Sequence, residues 1–338
     1  MKIAVLGAGT WGSALARLLA KNGHAVTLWS KFPEELDGIK KTHRHPHLGD
    51  AEMPTSLCFT ADLEKAVFEK ELVVFAVPSP YVRVTTEEAA PFLSAHQILV
   101  DVAKGIEKDT GLMLTGVIQD VLMQKRPQER FALVALSGPT HAEEVAKDLP
   151  SAIVSASLDE CAAKRVQDAF MNEQFRVYTN RDIHGVELCG ALKNIIALAA
   201  GISDGLGFGD NAKAAIITRG MAEMTRLGLA MGCAPETFAG LAGYGDLIVT
   251  ATSVHSRNHQ CGELIGKGLS PEEAVREVGQ VVEGMNALPA ARALASRYGV
   301  EMPLADAVYD VLCGADVRST VFSLMTREKK TEFHPISV

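Results

Sequence analysis

A lysine inside an apolar segment is the residue in this sequence best suited to proton transfer. Between Leu188 and Ser203, Lys193 is the only charged residue. Its neighbours one helical turn away are small or apolar: Cys189, Gly190, Ile196 and Ala197. Because burial disfavours the ammonium form, such a lysine is expected to work as a general acid or base. A lysine whose stem reaches from a buried helix to the surface would fit the same pattern.

Two segments after predicted strands carry polar groups that could hold a substrate. Lys104 follows one strand, and Gly138 and Thr140 follow another, where open α/β sheets bind ligands. Lys104 could equally be an exposed lysine, and Thr140 could simply cap the next helix.

Two later segments add an acid and a possible anion site. Asp246 lies in a glycine-rich turn and could orient Lys193 or accept a substrate hydroxyl. Arg257 stands between Ser256 and Asn258, and a guanidinium flanked by such donors suits a phosphate monoester. Taken alone, Asp246 is also typical of a turn and Arg257 of a surface charge.

A glycine-rich turn near the N-terminus predicts a dinucleotide site. A strand-like run over residues 2–6 leads into Gly7, Gly9 and Gly12, and a helical pattern follows. In this spacing the first glycine permits the tight turn, the second lets backbone N–H groups approach a pyrophosphate, and the third lets the helix pack on its strand. A merely tight turn is the alternative, but a second strand over residues 24–29 favours the dinucleotide.

The end of that second strand bears on the choice of dinucleotide. An acid that accepts hydrogen bonds from the adenosine ribose is usual there, whereas this chain has Ser30 and Lys31. A hydroxyl and an ammonium bind a 2′-phosphate, so these residues favour NADP(H), with NAD(H) possible. Lys31 could also point only into water.

The elements that must position these residues fall into two groups. We predict strands over residues 2–6, 25–29, 57–60, 72–76, 98–102, 132–136, 152–155 and 176–178, with helical segments between them. This pattern indicates an α/β, doubly wound (Rossmann-like), mostly parallel sheet in a dinucleotide-binding domain over residues 1–181. Residues 182–330 lack strand patterns and predict an all-α substrate and catalytic domain whose first helix docks on the sheet, and residues 331–338 form a tail.

Composition narrows the class of protein. Of 338 residues, 33 are Lys or Arg and 41 are Asp or Glu, giving a net charge of −8, which argues against nucleic-acid binding. The longest strongly apolar runs fall short of the roughly 20 residues that span a bilayer, so no membrane insertion is expected. The six cysteines show no metal-like spacing and are expected in the core of a cytoplasmic protein.

Two other motifs are interpreted as structural segments without a binding or catalytic role. His43, His45 and His47 alternate in a proline-containing loop, which we interpret as a polar surface loop rather than a metal site. The glycine-rich segment over residues 204–210 has no strand before it and is interpreted as a connector between helices.

The motifs together resemble the bacterial NAD(P)-dependent glycerol-3-phosphate dehydrogenases from residue 1 to about residue 325. The shared segments include the glycine turn and those around Lys104, Gly138, Lys193, Asp246, Arg257 and Glu283. The resemblance implies that the dinucleotide contacts Thr10, Trp11, Lys31, Ala142, Val281 and Glu283. It implies that the substrate contacts Lys104, Gly138, Thr140, Lys193, Asp246, Ser256, Arg257 and Asn258, with Lys104 and Arg257 close to both ligands.

The resemblance also implies an activity and a setting. Lys193 matches the family's proton donor and acceptor in the interconversion of dihydroxyacetone phosphate and sn-glycerol 3-phosphate. The expected protein is a cytoplasmic homodimer that supplies glycerol 3-phosphate for phospholipid synthesis. Family members often have Ser followed by Phe or Tyr at Thr10 and Trp11, and Arg at Lys31. A lysine lacks the guanidinium fork, which weakens the expected NADPH preference.

Two other functions are compatible with the same motifs. A β-hydroxyacid dehydrogenase or a ketopantoate-type reductase shares a dinucleotide domain followed by helices but acts on a carboxylate. A non-catalytic dinucleotide-sensing module would bind the cofactor without turnover, and it would give Lys193 no reason to be isolated among apolar residues.

Overall fold

An eight-stranded sheet is built from the first half of the chain in the computed structural model, which describes residues 1–329 and 331–332. The strands are β1 (Lys2–Leu6), β2 (Ala25–Trp29), β3 (Cys58–Thr60), β4 (Leu72–Phe75), β5 (Ile98–Asp101), β6 (Ala132–Ser137), β7 (Ser151–Ala156) and β8 (Phe175–Asn180). Their order is β3-β2-β1-β4-β5-β6-β7-β8. Neighbouring strands are parallel except β6 and β7, which are antiparallel.

Helices connect the strands and cover both faces of the sheet. In this half they are α1 (Thr10–Lys21), α2 (Pro33–Thr42), α3 (Leu63–Val67), α4 (Val82–Ala89), α5 (Leu114–Lys125), α6 (Ala142–Ala146) and α7 (Glu160–Phe170). Alternate residues of each strand face opposite cores: Ile3 and Val5 pack on one side, Ala4 and Leu6 on the other. Burial on both faces explains why these strands are nearly continuous apolar runs.

The described second half is helical. Its helices are α8 (Ile183–Gly205), α9 (Gly209–Ala230), α10 (Pro235–Ala239), α11 (Asp246–Thr252), α12 (Arg257–Gly266), α13 (Pro271–Val278), α14 (Glu283–Tyr298), α15 (Pro303–Leu312) and α16 (Val317–Met325). A π-helical turn over Leu241–Gly245 precedes α11. The α/β and all-α fold class is confirmed, and the segment over residues 204–210 does connect α8 to α9.

The helix α8 forms the centre of the second half. Its side chains are buried along most of their length, and α9, α11, α12 and α14 pack around it. The backbones of α8 and α12 lie in direct contact. A Cβ at Gly201 would overlap the carbonyl oxygen of His259, and a Cβ at Gly262 would overlap the carbonyl oxygen of Leu198. Of the described helices, α8 alone is long and apolar enough to cross a membrane, but its apolar window is entirely buried inside the protein.

The reversed strand β7 determines how α8 reaches the ligand-binding edge of the sheet. After β6 the chain turns back, so α8 begins beyond the carboxyl end of β8, at the opposite edge. It then packs across β6 and β7 toward the carboxyl end of β6, where Gly190 contacts Ser137. At 1.5 Å per residue, the ten residues from Ile183 to Lys193 carry the chain about 15 Å. Lys193 therefore lies near the edge where β5 and β6 end.

The predicted strands are all present, with ends shifted by at most two residues. The helix after Thr140 is present as α6, whereas α2 was not among the predicted helical segments. Cys58, Cys161 and Cys313 are exposed, so the expectation of core cysteines is wrong for these three. The domain boundary at residue 181 stays a prediction. Lys330, the last residue of the predicted helical domain, and residues 333–338 of the predicted tail lie outside the described residues.

The histidine loop also differs from its interpretation as a polar surface loop. His45 is buried, and its ring Nδ1 accepts a 3.2 Å hydrogen bond from the backbone N–H of His47. Leu48 and Ala51 from the same loop pack against Ala14 of α1. The loop therefore covers the helix that follows the glycine turn.

Candidate active site

Two lysines and one aspartate form a buried centre between the sheet and the helices. The Asp246 side chain is completely buried and Lys193 is 5% exposed. The Lys193 ammonium donates to Asp246 Oδ1 and, at 2.6 Å, to Thr250 Oγ1. The Lys104 ammonium donates to Asp246 Oδ2 at 2.6 Å and to the Gly138 carbonyl at 3.2 Å. One carboxylate thus serves both ammonium groups.

Local structure explains why these residues meet. Lys104 and Gly138 follow β5 and β6, whose carboxyl ends share one edge of the sheet. Asp246 begins α11 directly after the π-helical turn, in which the Gly245 N–H donates to the Gly240 carbonyl at 3.2 Å. Thr250 lies four residues after Asp246, on the same face of α11, and therefore joins the site.

Burial dominates the protonation chemistry of the centre. It lowers the pKa of Lys193 to about 7; the Asp246 carboxylate opposes this shift, and the Lys104 ammonium adds to it. The pKa of His141 is also lowered, by burial first and by the charge of Lys193 second. The site thus holds a lysine poised to exchange a proton near neutral pH.

Amide hydrogen bonds connect Asn194, the residue after Lys193, to the segment around Arg257. Asn258 Nδ2 donates to Asn194 Oδ1 at 3.0 Å, and the Gly284 N–H donates to Asn258 Oδ1 at 2.8 Å. Ser256 caps α12 by accepting from the His259 N–H at 3.2 Å. Arg257, the first residue of α12, is exposed and has no hydrogen-bond or ion-pair partner within residues 1–329 and 331–332. Its guanidinium is therefore available to an anion.

The glycine turn has the geometry that a bound pyrophosphate requires. Gly7 has φ +123°, and a Cβ there would lie 2.7 Å from the Ala76 carbonyl oxygen. A Cβ at Gly12 would overlap the Gly7 carbonyl oxygen, whereas one at Gly9 would meet no described atom within 4 Å. The helix α1 begins at Thr10 without a side-chain cap, so its first N–H groups can bind an anion. These residues fit a dinucleotide.

Other residues expected at the dinucleotide lie around this turn. Trp11 and Ala142 pack against one small apolar cluster, which brings α6 next to α1. Glu283 accepts hydrogen bonds from Ser79, from its Oγ at 2.7 Å and its N–H at 3.3 Å, just after β4. Burial raises the pKa of Glu283, and the Ser79 bonds oppose this. Val281 is exposed beside it.

Lys31 lies apart from the buried centre. Its ammonium pairs with Glu88 Oε1 at 2.7 Å, and both side chains are exposed. The Lys31 ammonium is therefore paired with a carboxylate at the surface. An incoming 2′-phosphate would have to compete with the Glu88 carboxylate for this ammonium.

The helix-cap alternative for Thr140 is wrong, and two residues of the site were not predicted. Thr140 does not cap α6: its hydroxyl donates to the Gly138 carbonyl at 3.2 Å, and α6 begins after His141 without a side-chain cap. Thr250 and Asn194 were not predicted at the site. The four-residue spacing from Asp246 could have indicated Thr250, but no sequence signal pairs Asn194 with Asn258.

A buried lysine near the strand ends and a glycine turn that fits a dinucleotide are typical of an oxidoreductase of the dehydrogenase class. Two sequence models match the chain: the NAD-dependent glycerol-3-phosphate dehydrogenase N-terminus over residues 2–163, and the C-terminus of the same enzyme over residues 182–322. The chain belongs to this family.

Relatives are similar along the whole chain. A glycerol-3-phosphate dehydrogenase (NAD(P)+) from Lactobacillus delbrueckii subsp. bulgaricus is 58% identical over 332 residues, which cover 98% of each chain. One from Thermoanaerobacter is 50% identical over 337 residues, covering 99% of this chain and 100% of the relative. The crystal structure of a glycerol-3-phosphate dehydrogenase from Coxiella burnetii matches with a TM-score of 0.90 at 36% identity, covering 96% of this chain and 99% of that chain.

A more distant structure shares the fold alone. A putative 2-dehydropantoate 2-reductase from Enterococcus faecalis has a TM-score of 0.52 at 15% identity, covering 93% of this chain and 97% of that chain. A ketopantoate-type reductase therefore has the same general architecture, but the family matches do not favour it.

Proposed function

We propose that the protein interconverts dihydroxyacetone phosphate and sn-glycerol 3-phosphate with NAD(P)H, and that Lys193 is its general acid and base. The observation that carries this proposal is the buried ammonium of Lys193, held by Asp246 and Thr250 at the edge where the strands end. Family membership supplies the substrate class.

Proton transfer belongs to Lys193 in this proposal. A nicotinamide dinucleotide bound at the glycine turn would supply or accept the hydride. During reduction the Lys193 ammonium protonates the oxygen of the substrate carbonyl, and in the reverse direction the neutral amine takes that proton back. Asp246 orients the ammonium through Oδ1, and Thr250 fixes it from a second direction. Burial keeps water from competing for the proton.

The substrate phosphate is assigned to the segment around Arg257. Its exposed guanidinium and the N–H groups at the start of α12 can hold a phosphate monoester. Asn258 links this segment to Asn194, next to Lys193, so the phosphate and the reacting carbonyl would be bound by adjoining parts of one structure. Lys104, Gly138, Thr140 and Ser256 complete the proposed substrate site.

For the dinucleotide, we propose binding by Gly7, Gly9, Thr10, Trp11, Gly12, Lys31, Lys104, Ala142, Arg257, Val281 and Glu283, with NADP(H) preferred and NAD(H) accepted. The exposed ammonium of Lys31 supports the NADP(H) preference, although a 2′-phosphate dianion must displace the Glu88 carboxylate to bind it. The preference should be modest, since a lysine cannot form the two parallel hydrogen bonds of a guanidinium.

A spectrophotometric assay tests the activity. We expect loss of the reduced nicotinamide absorbance with dihydroxyacetone phosphate, measured separately with NADPH and NADH. A panel of 2- and 3-oxo acids is the comparison, and turnover of those acids instead would favour the carboxylate-reducing alternative. Dinucleotide binding without turnover of any of these compounds would favour the sensing module.

The assembly and the setting are further proposals. We propose a cytoplasmic homodimer that supplies glycerol 3-phosphate, the backbone of glycerophospholipids. The helix α16 supports a second copy, because it buries none of its residues and leaves Phe322 and Met325 largely exposed. Sedimentation or light scattering would test the dimer, and a monomer at micromolar concentration would contradict it.

A further inference from the structure

A carboxylate lies beside the end of β2 although the sequence has no acid at the usual position. The Gly7 N–H donates to the Trp29 carbonyl at 2.9 Å, so the residues that follow β2 lie next to the glycine turn. Ser30 Oγ donates to Glu35 Oε2 at 2.6 Å. Glu35 belongs to the first turn of α2, and its residue is exposed. The helix α2 thus places the Glu35 carboxylate beside the Ser30 hydroxyl, just after the end of β2.

The histidine loop lies near this carboxylate. Burial and the charge of His47 lower the pKa of His45, whereas a hydrogen bond to the Ala8 backbone and the charge of Glu35 raise it. His45 is therefore bonded to Ala8 of the glycine turn and lies near enough to Glu35 for the carboxylate to act on its charge.

Both groups that could attract a 2′-phosphate are already bonded to carboxylates. Ser30 is bonded to Glu35, and Lys31 is paired with Glu88. A ribose 2′-hydroxyl can donate to a carboxylate, but a 2′-phosphate dianion is repelled by one. The two acids therefore act against the preference that Lys31 would produce alone.

We propose that Glu35 is a specificity-determining residue that holds the adenosine ribose hydroxyls of NAD(H) and disfavours the 2′-phosphate of NADP(H). In this proposal Glu35 replaces the acid that usually ends the second strand. It reaches that place from α2, and the hydrogen bond from Ser30 holds it there. Lys31 and Glu35 then oppose each other, and the protein accepts both dinucleotides. This inference rests on the proposed dehydrogenase function.

The test compares Glu35→Gln with Glu34→Gln, which removes the same charge from the neighbouring position of α2. For each protein, kcat/KM is measured with NADPH and with NADH at saturating dihydroxyacetone phosphate, and Kd for both by nicotinamide fluorescence. In E35Q we expect the NADPH-to-NADH ratio to rise about 5- to 10-fold, close to the tenfold that corresponds to 1.4 kcal/mol. In E34Q the ratio should stay within about twofold of the parent.

The outcomes separate this inference from the proposed function. An E35Q ratio within twofold of the parent, or an equal rise in E34Q, would overturn the role of Glu35. If the parent reduces no dihydroxyacetone phosphate, the proposed function fails, and the ratio of the two Kd values still tests Glu35. A fall in the NADPH-to-NADH ratio of Kd values in E35Q alone, which means relatively tighter NADPH binding, would support it even then.

Discussion

Asp246 is shared by two ammonium groups, and this sharing adds to the effect of burial on Lys193. Lys104 occupies Oδ2 and Lys193 occupies Oδ1, so neither lysine has the carboxylate to itself. The Asp246 carboxylate favours the ammonium form of Lys193. Burial and the second ammonium outweigh it, so the pKa of Lys193 is lowered to about 7 and its proton can be given up.

Replacement of Lys193 tests this chemistry directly. In Lys193→Ala we expect kcat for dihydroxyacetone phosphate reduction to fall about 10²- to 10⁴-fold, the usual loss for a missing general acid. The Kd for the dinucleotide should change little, because the glycine turn is built from other elements. Steady-state kinetics and fluorescence titration measure the two quantities.

Lys164→Ala is the control, since Lys164 pairs with Glu160 on the exposed surface of α7, outside the proposed site. It should keep kcat within about twofold of the parent. If kcat of the Lys193→Ala variant stayed within about threefold of the parent, Lys193 would not be the general acid.

The pH dependence of the free enzyme follows from the same lysine. Reduction needs the ammonium form, so kcat/KM for dihydroxyacetone phosphate should fall as pH rises through the lowered pKa of about 7. Oxidation of glycerol 3-phosphate needs the neutral amine and should rise over the same range. Initial rates from pH 5.5 to 9.5 in both directions check this, and a reduction rate that is flat to pH 9.5 would contradict it.

At the scale of elements, the packing of α8 on α12 fixes the lysine relative to the phosphate segment. Asn194 on α8 and Asn258 on α12 can bond only if the two helix backbones lie this close. Glycines at Gly201 and Gly262 allow that approach, because a methyl group at either would overlap a backbone carbonyl. Small residues at this contact therefore serve the site as well as the core.

Substitution at that contact should therefore be costly. In Gly262→Ala the new methyl group must push α12 away from the Leu198 carbonyl, and we expect the free energy of unfolding to fall by about 2–3 kcal/mol or more. Gly38→Ala, in α2, is the control: nothing lies within 4 Å of a Cβ there, and helix propensity should add about 0.5–1 kcal/mol. Urea unfolding followed by circular dichroism measures both, and equal stabilities would refute the close-packing account.

At the scale of the whole molecule, a buried carboxylate from the helical half anchors a helix of the sheet half. Glu187 of α8 accepts hydrogen bonds from the Thr115 N–H at 2.8 Å and its Oγ1 at 2.5 Å, at the first turn of α5. Burial raises the pKa of Glu187 to about 7, although the Thr115 bonds oppose the shift. The contact joins the two halves beside the site.

Stability should depend on the protonation of this carboxyl. Because its pKa is raised in the folded state, its favourable contribution is complete below about pH 4.5 and is lost as pH rises through about 7. Glu187→Gln removes this titration, so the variant's stability relative to the parent should increase by about 2–4 kcal/mol between pH 4.5 and pH 8. Denaturant unfolding at both pH values measures this difference. Glu34→Gln, at an exposed position, is the control and should show no such trend. If the stability of Glu187→Gln relative to the parent were the same at both pH values, the role of Glu187 would be contradicted.

Local patterns predicted the parts of this structure that depend on neighbouring residues. The strand, glycine turn and helix around Gly9 follow from spacing, and the burial of Lys193 follows from its apolar surroundings. Interactions made between distant segments could not be predicted in this way. The bond from Ser30 to Glu35 requires α2 to fold back on β2, and the burial of His45 requires a loop to cover α1. The failed cap at Thr140 has a local cause, since its hydroxyl turns to the Gly138 carbonyl instead.

The shared carboxylate also has a consequence for how the substrate arrives. While Lys193 is protonated, two ammonium groups on one carboxylate leave a surplus positive charge in the buried centre, and the exposed guanidinium of Arg257 adds a second, in a chain whose net charge is −8. A diffusing phosphate dianion is repelled by most of the protein and attracted to this one region, where low-dielectric walls focus the field. This field increases the rate at which a phosphorylated substrate reaches the site before any hydrogen bond forms, whereas an uncharged triose is not attracted in this way.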